Sequence, residues 1–357
     1  MADKTKVVVA MSGGVDSSVA AALLKEQGYD VIGMMLRLWS ETGREDSNRC
    51  CTPESMALAR RVAAKLEIPF YVVDAKDAFR KTVVEMFLEG YARGETPNPC
   101  LECNRSIRWT LLLEHALALG AEFMATGHYA RLDHDPQGRV RLLRAVDRSK
   151  DQSYVLHVLN QKQLQRALFP VGAHLKPEIR RIAEEHGLPS ASRQESQDLC
   201  FLAGEDYRDF LRRHRPEMLV PGPIVDLNGN VHGQHDGLAN YTIGQRKGIR
   251  VSSGVPLYAL RKVSGNNQLV IGTRAELGGD YLVTGAVNWV SGTPRSDPFR
   301  AEVKTRYTAI EQSATVTPIE GGLRVHIKFD ENQRDLTPGQ AAVFYVDDAV
   351  IGGGIIQ

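Results

Sequence analysis

Ser12, Gly13, Gly14, Val15, Asp16, Ser17 and Ser18 pack two glycines, three serines and an aspartate into seven residues. Gly13 and Gly14 permit φ > 0 and close backbone approach, so several main-chain N–H groups can face one anion, and the serine hydroxyls add donors. The run follows Val7, Val8 and Val9, which suit a buried parallel strand, and precedes Ala20, Ala21, Ala22, Leu23 and Leu24, which suit a helix stopped at Gly28. A helix starting there adds the positive end of its dipole. The chemistry is that of a phosphate cradle. It is not the G-x-x-x-x-G-K-[ST] loop, and no G-x-G-x-x-G follows the first strand.

Thiols supply the second chemistry. Cys100 and Cys103 lie in TPNPCLECNRSIRW, where Pro97 and Pro99 favour an extended approach to a helix. A thiol at a helix start, with Arg105 and Arg108 nearby, is expected to have a lowered pKa and more thiolate. Cys200 lies in SRQESQDLCFLAG, a polar stretch with little periodicity that reads as a functional loop. The bland alternative is that these cysteines are small core hydrophobes. Five cysteines is an odd count, which speaks against a disulfide scaffold and for catalysis or metal binding. Cys50 and Cys51 receive no assignment; a redox and a structural role are equally open.

The elements that must position these groups alternate. Strands are expected at 29–39, 70–74 and 122–126, with helices at 53–66, 78–91 and 107–119 between and beyond them. Thr52 caps the first of these helices and Pro53 occupies its first turn. Such alternation predicts an open, mostly parallel Rossmann-like sheet with helices on both faces, an α/β fold. Ligands then gather beyond the C-terminal strand ends, where the Ser12–Ser18 loop, Leu36, Gly127 and His128 converge.

After Ala203 the pattern changes to short strands broken by Gly, Asn and Pro, with hairpin signals at Asn228-Gly229 and Gly265-Asn266-Asn267. The expected organisation is an α/β catalytic domain over residues 1–203, a small β-rich central domain over 204–277 and a C-terminal β-barrel over 278–357. The net charge of +1 announces no polyanionic partner, and the local runs Arg139, Arg141, Arg144, Arg148, Lys150 and Arg208, Arg212, Arg213, Arg215 read as solvated faces. No apolar run reaches membrane-spanning length, and the start MADKTK lacks the apolar core of a signal peptide, so no membrane contact and a cytosolic location are expected.

SGGVDSS resembles the pyrophosphate loop of the ATP pyrophosphatase (PP-loop) superfamily. Taken with TPNPCLECN, TGHYAR, KDQSYVL, SQDLCF, YTIGQRKG, VKTRY and PGQAAVFY in this order, it resembles the bacterial tRNA-specific 2-thiouridylases along essentially the whole chain. That resemblance implies a cytoplasmic enzyme that adenylates the C2 oxygen of the wobble uridine in the tRNAs for Lys, Glu and Gln and replaces it with sulfur, releasing AMP and diphosphate. It implies ATP with Mg²⁺ on Met11, Ser12, Gly13, Gly14, Val15, Asp16, Ser17 and Ser18, with Leu36 near the adenine and Gly127 closing the site. Cys103 is implied as nucleophile and Cys200 as persulfide carrier, loaded by a sulfur-donor protein and ending in a Cys103–Cys200 disulfide. Asn98, Pro99 and Cys100 match the segment against the target base. Lys150, Asp151, Gln152, His128, Arg306, Tyr307 and Gln340 match positions near the tRNA anticodon loop.

One residue departs from the family pattern. Many members carry Asp where Cys100 stands, so a general base is not copied there. Cys100, Cys103 and Cys200 together also offer three thiolates to a [4Fe–4S] cluster with one open iron, a second route for sulfur; zinc on the same thiols lacks an obvious fourth ligand. Two other classes stay open: a PP-loop ligase or amidotransferase acting on a small molecule, which has no use for paired cysteines, and a non-catalytic RNA-binding module with a relic loop.

Overall fold

The computed structural model describes residues 4–43, 52–194, 199–334 and 336–357. Cys50 and Cys51 lie outside the described residues, as do residues 195–198 of the stretch before Cys200.

Strand β1 (Lys6–Ala10) pairs in parallel with β2 (Asp30–Arg37) on one side and β4 (Phe123–Thr126) on the other. Strands β3 (Phe70–Asp74) and β7 (Ala167–Leu168) complete a five-stranded parallel sheet in the order β3-β2-β1-β4-β7. The strand order therefore reverses at β1, and its C-terminal end opens the crevice where such sheets bind ligands. Helix α1 (Val15–Glu26) returns over the sheet, and its small residues Ala20, Ala21 and Ala22 are buried, which lets helix and sheet approach closely. Helix α2 (Pro53–Lys65) starts as the sequence predicts: Thr52 accepts a 3.0 Å hydrogen bond from the Ser55 N–H, and Pro53 occupies the first turn. Such a cap contributes about 1 kcal/mol.

The sequence places the last of its expected helices at 107–119, but helix begins earlier. Segments Pro99–Glu102, Cys103–Leu112 (π-helical) and Leu113–Ala118 run on from one another. Asn98 accepts from the Cys100 N–H at 3.1 Å and Pro99 sits at the first helical position. Pro99 breaks nothing here, because the first helical residue has no intrahelical use for its N–H.

A hairpin of β5 (Ala130–His134) and β6 (Val140–Arg144) leaves the α/β domain and pairs with the C-terminal barrel. Between them lies a four-stranded sheet of β8 (Gly222–Val225), β9 (Val231–His235), β10 (Tyr258–Val263) and β11 (Gln268–Gly272). The barrel strands are β12 (Gly279–Trp289), β13 (Phe299–Lys304), β14 (Gln312–Ile319), β15 (Arg324–Gln333), β16 (Ala341–Val346) and β17 (Ala349–Ile356). They run β12-β15-β14-β13-β16-β17, and β12 pairs back onto β17, so the barrel is closed and lacks the open edge that invites aggregation. The basic run on and around β6 serves this architecture: Arg139 pairs with Asp135, Arg141 with Asp133, and Arg148 with Asp348 of the barrel.

Where the α/β domain meets the barrel, His157 is buried and its Nδ1–H donates to the Tyr154 carbonyl at 2.7 Å. Burial pushes its pKa down to about 4, and the buried His128 is also held well below the usual value. Both imidazoles are neutral in the fold and protonate more readily unfolded. Stability is therefore full above pH ~6.5 and falls as the pH drops toward 4, with His157 alone costing on the order of 2 kcal/mol between pH 7 and pH 5. Urea denaturation across that window should show the loss, and a profile that is flat from pH 7 to pH 5 would contradict it. No helix among the described residues is long and apolar enough to cross a membrane.

Candidate nucleotide and thiol site

The loop after β1 is tied into shape by its own hydroxyls. Ser17 Oγ accepts from the Ser12 N–H at 3.2 Å, and Ser18 Oγ donates to the Gly14 carbonyl at 2.8 Å. Ser17 and Ser18 are buried, so they brace the turn, whereas Ser12 is exposed. Gly14 caps α1 without any side-chain hydrogen bond, which leaves the first-turn N–H groups to a ligand.

Two close approaches fix where this cradle stands. Gly13 has φ +74°, and a Cβ there would come 2.5 Å from the Ser55 carbonyl oxygen and 2.9 Å from Arg193 Nη1. Gly127, at the end of β4, presses on the start of α1: a Cβ there would lie 2.6 Å from the Ser17 nitrogen. The structure thus brings Gly127 against the Ser12–Ser18 loop, the convergence expected beyond the strand ends. The residues present fit a phosphate chain.

Three further side chains build this corner. Lys176 is buried and its Nζ donates to both Asp16 oxygens at 2.7 and 2.9 Å, while the Tyr129 hydroxyl donates to Asp16 Oδ1 at 2.9 Å. Arg193 donates to the Gly13 carbonyl at 3.2 Å and to Ser55 Oγ at 2.6 Å. None of these belongs to the glycine-rich run, and their partners lie far off in sequence. Lys176 sets a positive charge at the mouth of the loop, so Lys176→Met is expected to weaken ATP binding about ten-fold by calorimetry. Unchanged affinity would make the Lys176–Asp16 pair purely structural.

Cys103 is buried in an apolar cluster with Phe79, Phe87, Ile107 and Phe201, and Cys200 packs against the same cluster. Leu36, at the end of β2, packs against this cluster and also against the core that holds Val8, Met34 and Met124 under the sheet. Leu36 thus lies between those two clusters, while Met11 and Val15 of the nucleotide loop pack in a separate core with Val7, Val9 and Met35. Cys100 is exposed, Asn98 caps its helix, and Pro99 is buried. Arg105 reaches Glu102, and Arg108 reaches His128. Among the described residues no three His, Cys, Asp or Glu side chains gather closely enough for a metal ion, so Cys100, Cys103 and Cys200 as placed do not form a ligand set for a cluster.

The other residues singled out from sequence divide by what their side chains do. His128 is buried; Arg108 can only donate, so Nε2 accepts at 3.0 Å and Nδ1–H donates to Thr126 Oγ1 at 2.7 Å. Asp151 is buried and accepts from the Ala145 N–H and the Ser153 hydroxyl. Gln152 exchanges hydrogen bonds with the Tyr129 backbone, and Gln340 of the barrel donates to the Thr96 carbonyl close to Asn98 in the chain. Lys150 is half-buried next to Asp151. Asp151 and the exposed Tyr307 line one cleft of about 740 Å³, while Arg306 lines a different one.

Family models match three successive stretches of the chain: a tRNA methyl transferase HUP domain over residues 5–204, a tRNA methyl transferase PRC-barrel domain over 208–273, and an aminomethyltransferase beta-barrel domain over 280–356. The tRNA-specific 2-thiouridylase MnmA 2 of Caldanaerobacter subterraneus subsp. tengcongensis is 46% identical, covering 100% of this chain and 99% of its own length. The tRNA-specific 2-thiouridylase MnmA of Heliobacterium modesticaldum is 48% identical over 99% of this chain and 92% of its own. The chain belongs to the tRNA-specific 2-thiouridylase family. Identity along the whole chain outweighs the methyl-transfer wording of the domain descriptions. Among solved structures, the U34-tRNA thiolase NcsA from Methanococcus maripaludis with its [4Fe-4S] cluster aligns at 21% identity over 60% of this chain and 68% of that one, with a TM-score of 0.37, too loose a likeness to argue from. In this 2-thiouridylase-family chain the residues that sequence reading misses are Lys176, Tyr129 and Arg193; Tyr129 lies in TGHYAR and Arg193 in SRQESQDLCFLAG, but only Lys176 lies outside every stretch singled out.

Proposed function

We propose that this protein is an ATP-dependent tRNA-uridine 2-sulfurtransferase, acting at C2 of the wobble uridine in the tRNAs for Lys, Glu and Gln. What carries the reading is that Cys103 and Cys200 pack on one apolar cluster in a chain whose first strand ends in the Ser12–Ser18 phosphate cradle. A small-molecule ligase has no need for that pairing.

ATP lies along Met11–Ser18 with Leu36 at the adenine and Gly127 behind the phosphates, and Mg²⁺ travels with the nucleotide. The uridine C2 oxygen attacks the α-phosphorus and diphosphate departs, its charge met by the first-turn N–H groups of α1. Sulfur then attacks C2 and AMP leaves. Cys200, the more accessible of the two thiols, takes the persulfide from a sulfur-donor protein. The Cys103 thiolate attacks the Cys200 sulfur, hydrosulfide is released beside C2, and a Cys103–Cys200 disulfide remains for an external thiol to reduce. The uridine must leave its stack, which is least costly in a single-stranded anticodon loop. Asn98, Pro99 and Cys100 face that base. Lys150, Arg306 and Tyr307 contact tRNA, while His128, Asp151, Gln152 and Gln340 hold the loops that meet it.

Incubation with ATP, Mg²⁺, a persulfide-loading system and unmodified tRNA for Glu tests this. Nucleoside mass spectrometry should find one 2-thiouridine per AMP formed. AMP formation that ignores tRNA and follows a metabolite would favour the ligase reading.

A further inference from the structure

Of the PGQAAVFY stretch, only Gln340 enters the site described above. It belongs to the barrel loop 337–340, which lies between β15 and β16 and reaches across to the α/β domain. Thr96 gives both of its main-chain groups to that loop. Its N–H donates to the Pro338 carbonyl at 2.8 Å, and its carbonyl accepts from Gln340 Nε2 at 2.6 Å. Gly339 stands between these two bonds with φ +90°, and a Cβ there would come 2.9 Å from the Thr96 nitrogen and 2.9 Å from Glu95 Cβ.

The loop has little room to yield. The Gly339 N–H donates to the Ile356 carbonyl at 3.0 Å and the Ile356 N–H to the Gln340 carbonyl at 2.8 Å, which ties it to β17 of the closed barrel. The buried Thr337 hydroxyl accepts from Arg306, and Arg306 also donates to the Ile243 carbonyl of the central domain at 3.3 Å. The central domain also holds the chain just before Thr96, where Ser264 Oγ donates to the Arg93 carbonyl at 3.3 Å.

A displacement of Thr96 does not die out along the chain. Residues 96–99 read Thr-Pro-Asn-Pro. Each proline has a fixed φ, and the residue before each is confined to extended conformations. Asn98 is extended, with φ −107° and ψ 97°, and Pro97 packs on Gly90, where a Cβ would lie 2.8 Å from the proline ring. This stiff segment leads straight into the 3.1 Å cap between Asn98 Oδ1 and the Cys100 N–H, at the start of the helical stretch that carries Cys103. Productive geometry at a reacting centre tolerates errors of only about 0.5 Å.

We propose that loop 337–340 is a positioning element of the reaction, with Gly339 and Gln340 its positioning residues. By fixing Thr96 it sets where Asn98, Pro99 and Cys100 meet the uridine, and so whether the C2 oxygen reaches the α-phosphorus. The proposal rests on the tRNA-thiolation reading above. On it, the barrel controls the rate of base activation through protein contacts alone.

The test compares Gly339→Ala with Gly321→Ala, a barrel glycine of φ +66° whose Cβ would meet nothing within 4 Å. Both variants carry the strain of a side chain at positive φ, but only the first presses on Thr96. With unmodified tRNA saturating, diphosphate release should slow at least about ten-fold in Gly339→Ala and stay within about two-fold of wild type in Gly321→Ala. Affinity for tRNA and for ATP should stay within about two-fold of wild type in both, so the loss falls on kcat and not on KM. Gln340→Leu removes the bond to the Thr96 carbonyl without adding a clash, and should slow the same step about five-fold even if Gly339→Ala does not fold. Wild-type kcat in Gln340→Leu, with or without weaker tRNA binding, overturns the proposal. Equal slowing in Gly339→Ala and Gly321→Ala traces the effect to barrel strain and overturns it as well. A wild type that makes no 2-thiouridine fails the functional reading itself.

Discussion

Cys103→Ser and Cys200→Ser are each expected to lower tRNA thiolation by at least about a thousand-fold while ATP affinity stays within about two-fold of wild type. A serine oxygen cannot carry a persulfide, nor can it displace sulfide from one at neutral pH. Both substitutions are nearly isosteric, and both thiols belong to the Phe79, Phe87, Phe201 cluster, not to the Gly13–Ser18 turn. The nucleotide loop is built against Ser55 and Arg193 and around the Asp16–Lys176 pair, contacts in which neither sulfur takes part. Thiolation measured by nucleoside mass spectrometry and ATP binding measured by calorimetry should therefore separate. Either variant thiolating at more than about a tenth of the wild-type rate would remove that cysteine from the relay.

The second large effect is expected at Gly127. Its backbone conformation is ordinary; the need for glycine is contact alone. A Cβ would lie 2.6 Å from the Ser17 nitrogen and 2.7 Å from the Asp16 carbonyl carbon, and neither is a side chain that can swing aside. Gly127→Ala must push the end of β4 and the first turn of α1 apart, and overpacking of this kind costs about 1–3 kcal/mol. The larger consequence is chemical. The N–H groups that meet diphosphate shift by a sizeable fraction of an ångström, which is expected to lower kcat/KM for ATP about a hundred-fold. AMP release with saturating tRNA reads the effect directly, and circular dichroism confirms that the variant folds. Wild-type kinetics would mean that β4 and α1 are free to separate and that the cradle lies elsewhere.

Much of this site is legible from the chain alone because it is written locally. Val7–Val9, the double glycine and the alanine run specify strand, turn and helix within a short span of chain, and Thr52-Pro53 announces α2. Strand Phe70–Asp74 appears where its apolar residues predict. The helix through Cys103 is harder. Two prolines in TPNPC suggest a longer interruption, but Asn98 and Pro99 are a cap and a first-turn residue, so helix starts at Pro99 and not at the expected 107. That places Cys103 within the helical stretch and against the apolar cluster.

What stays hidden depends on long-range partners. Lys176 finds Asp16 from 160 residues away and Arg193 finds Gly13 from 180 away, and nothing within a window of either residue says so. The hairpin β5–β6 illustrates the same limit. It is not among the strands expected from sequence, and its outer neighbour is β17, at the far end of the chain. Arg139 and Arg141, read as a solvated face, prove to be paired within that hairpin with Asp135 and Asp133. Arg208 and Arg212 line a cleft while Arg213 and Arg215 brace the fold, a division that identical residue types cannot reveal.

The two-thiol relay is tested most directly by a single turnover with Cys200 preloaded as persulfide, ATP, Mg²⁺ and one equivalent of tRNA, quenched by alkylation and mapped by peptide mass spectrometry. The relay predicts a Cys103–Cys200 disulfide that accumulates in step with 2-thiouridine, one for one. Full 2-thiouridine formation with both cysteines recovered as alkylated thiols would contradict it.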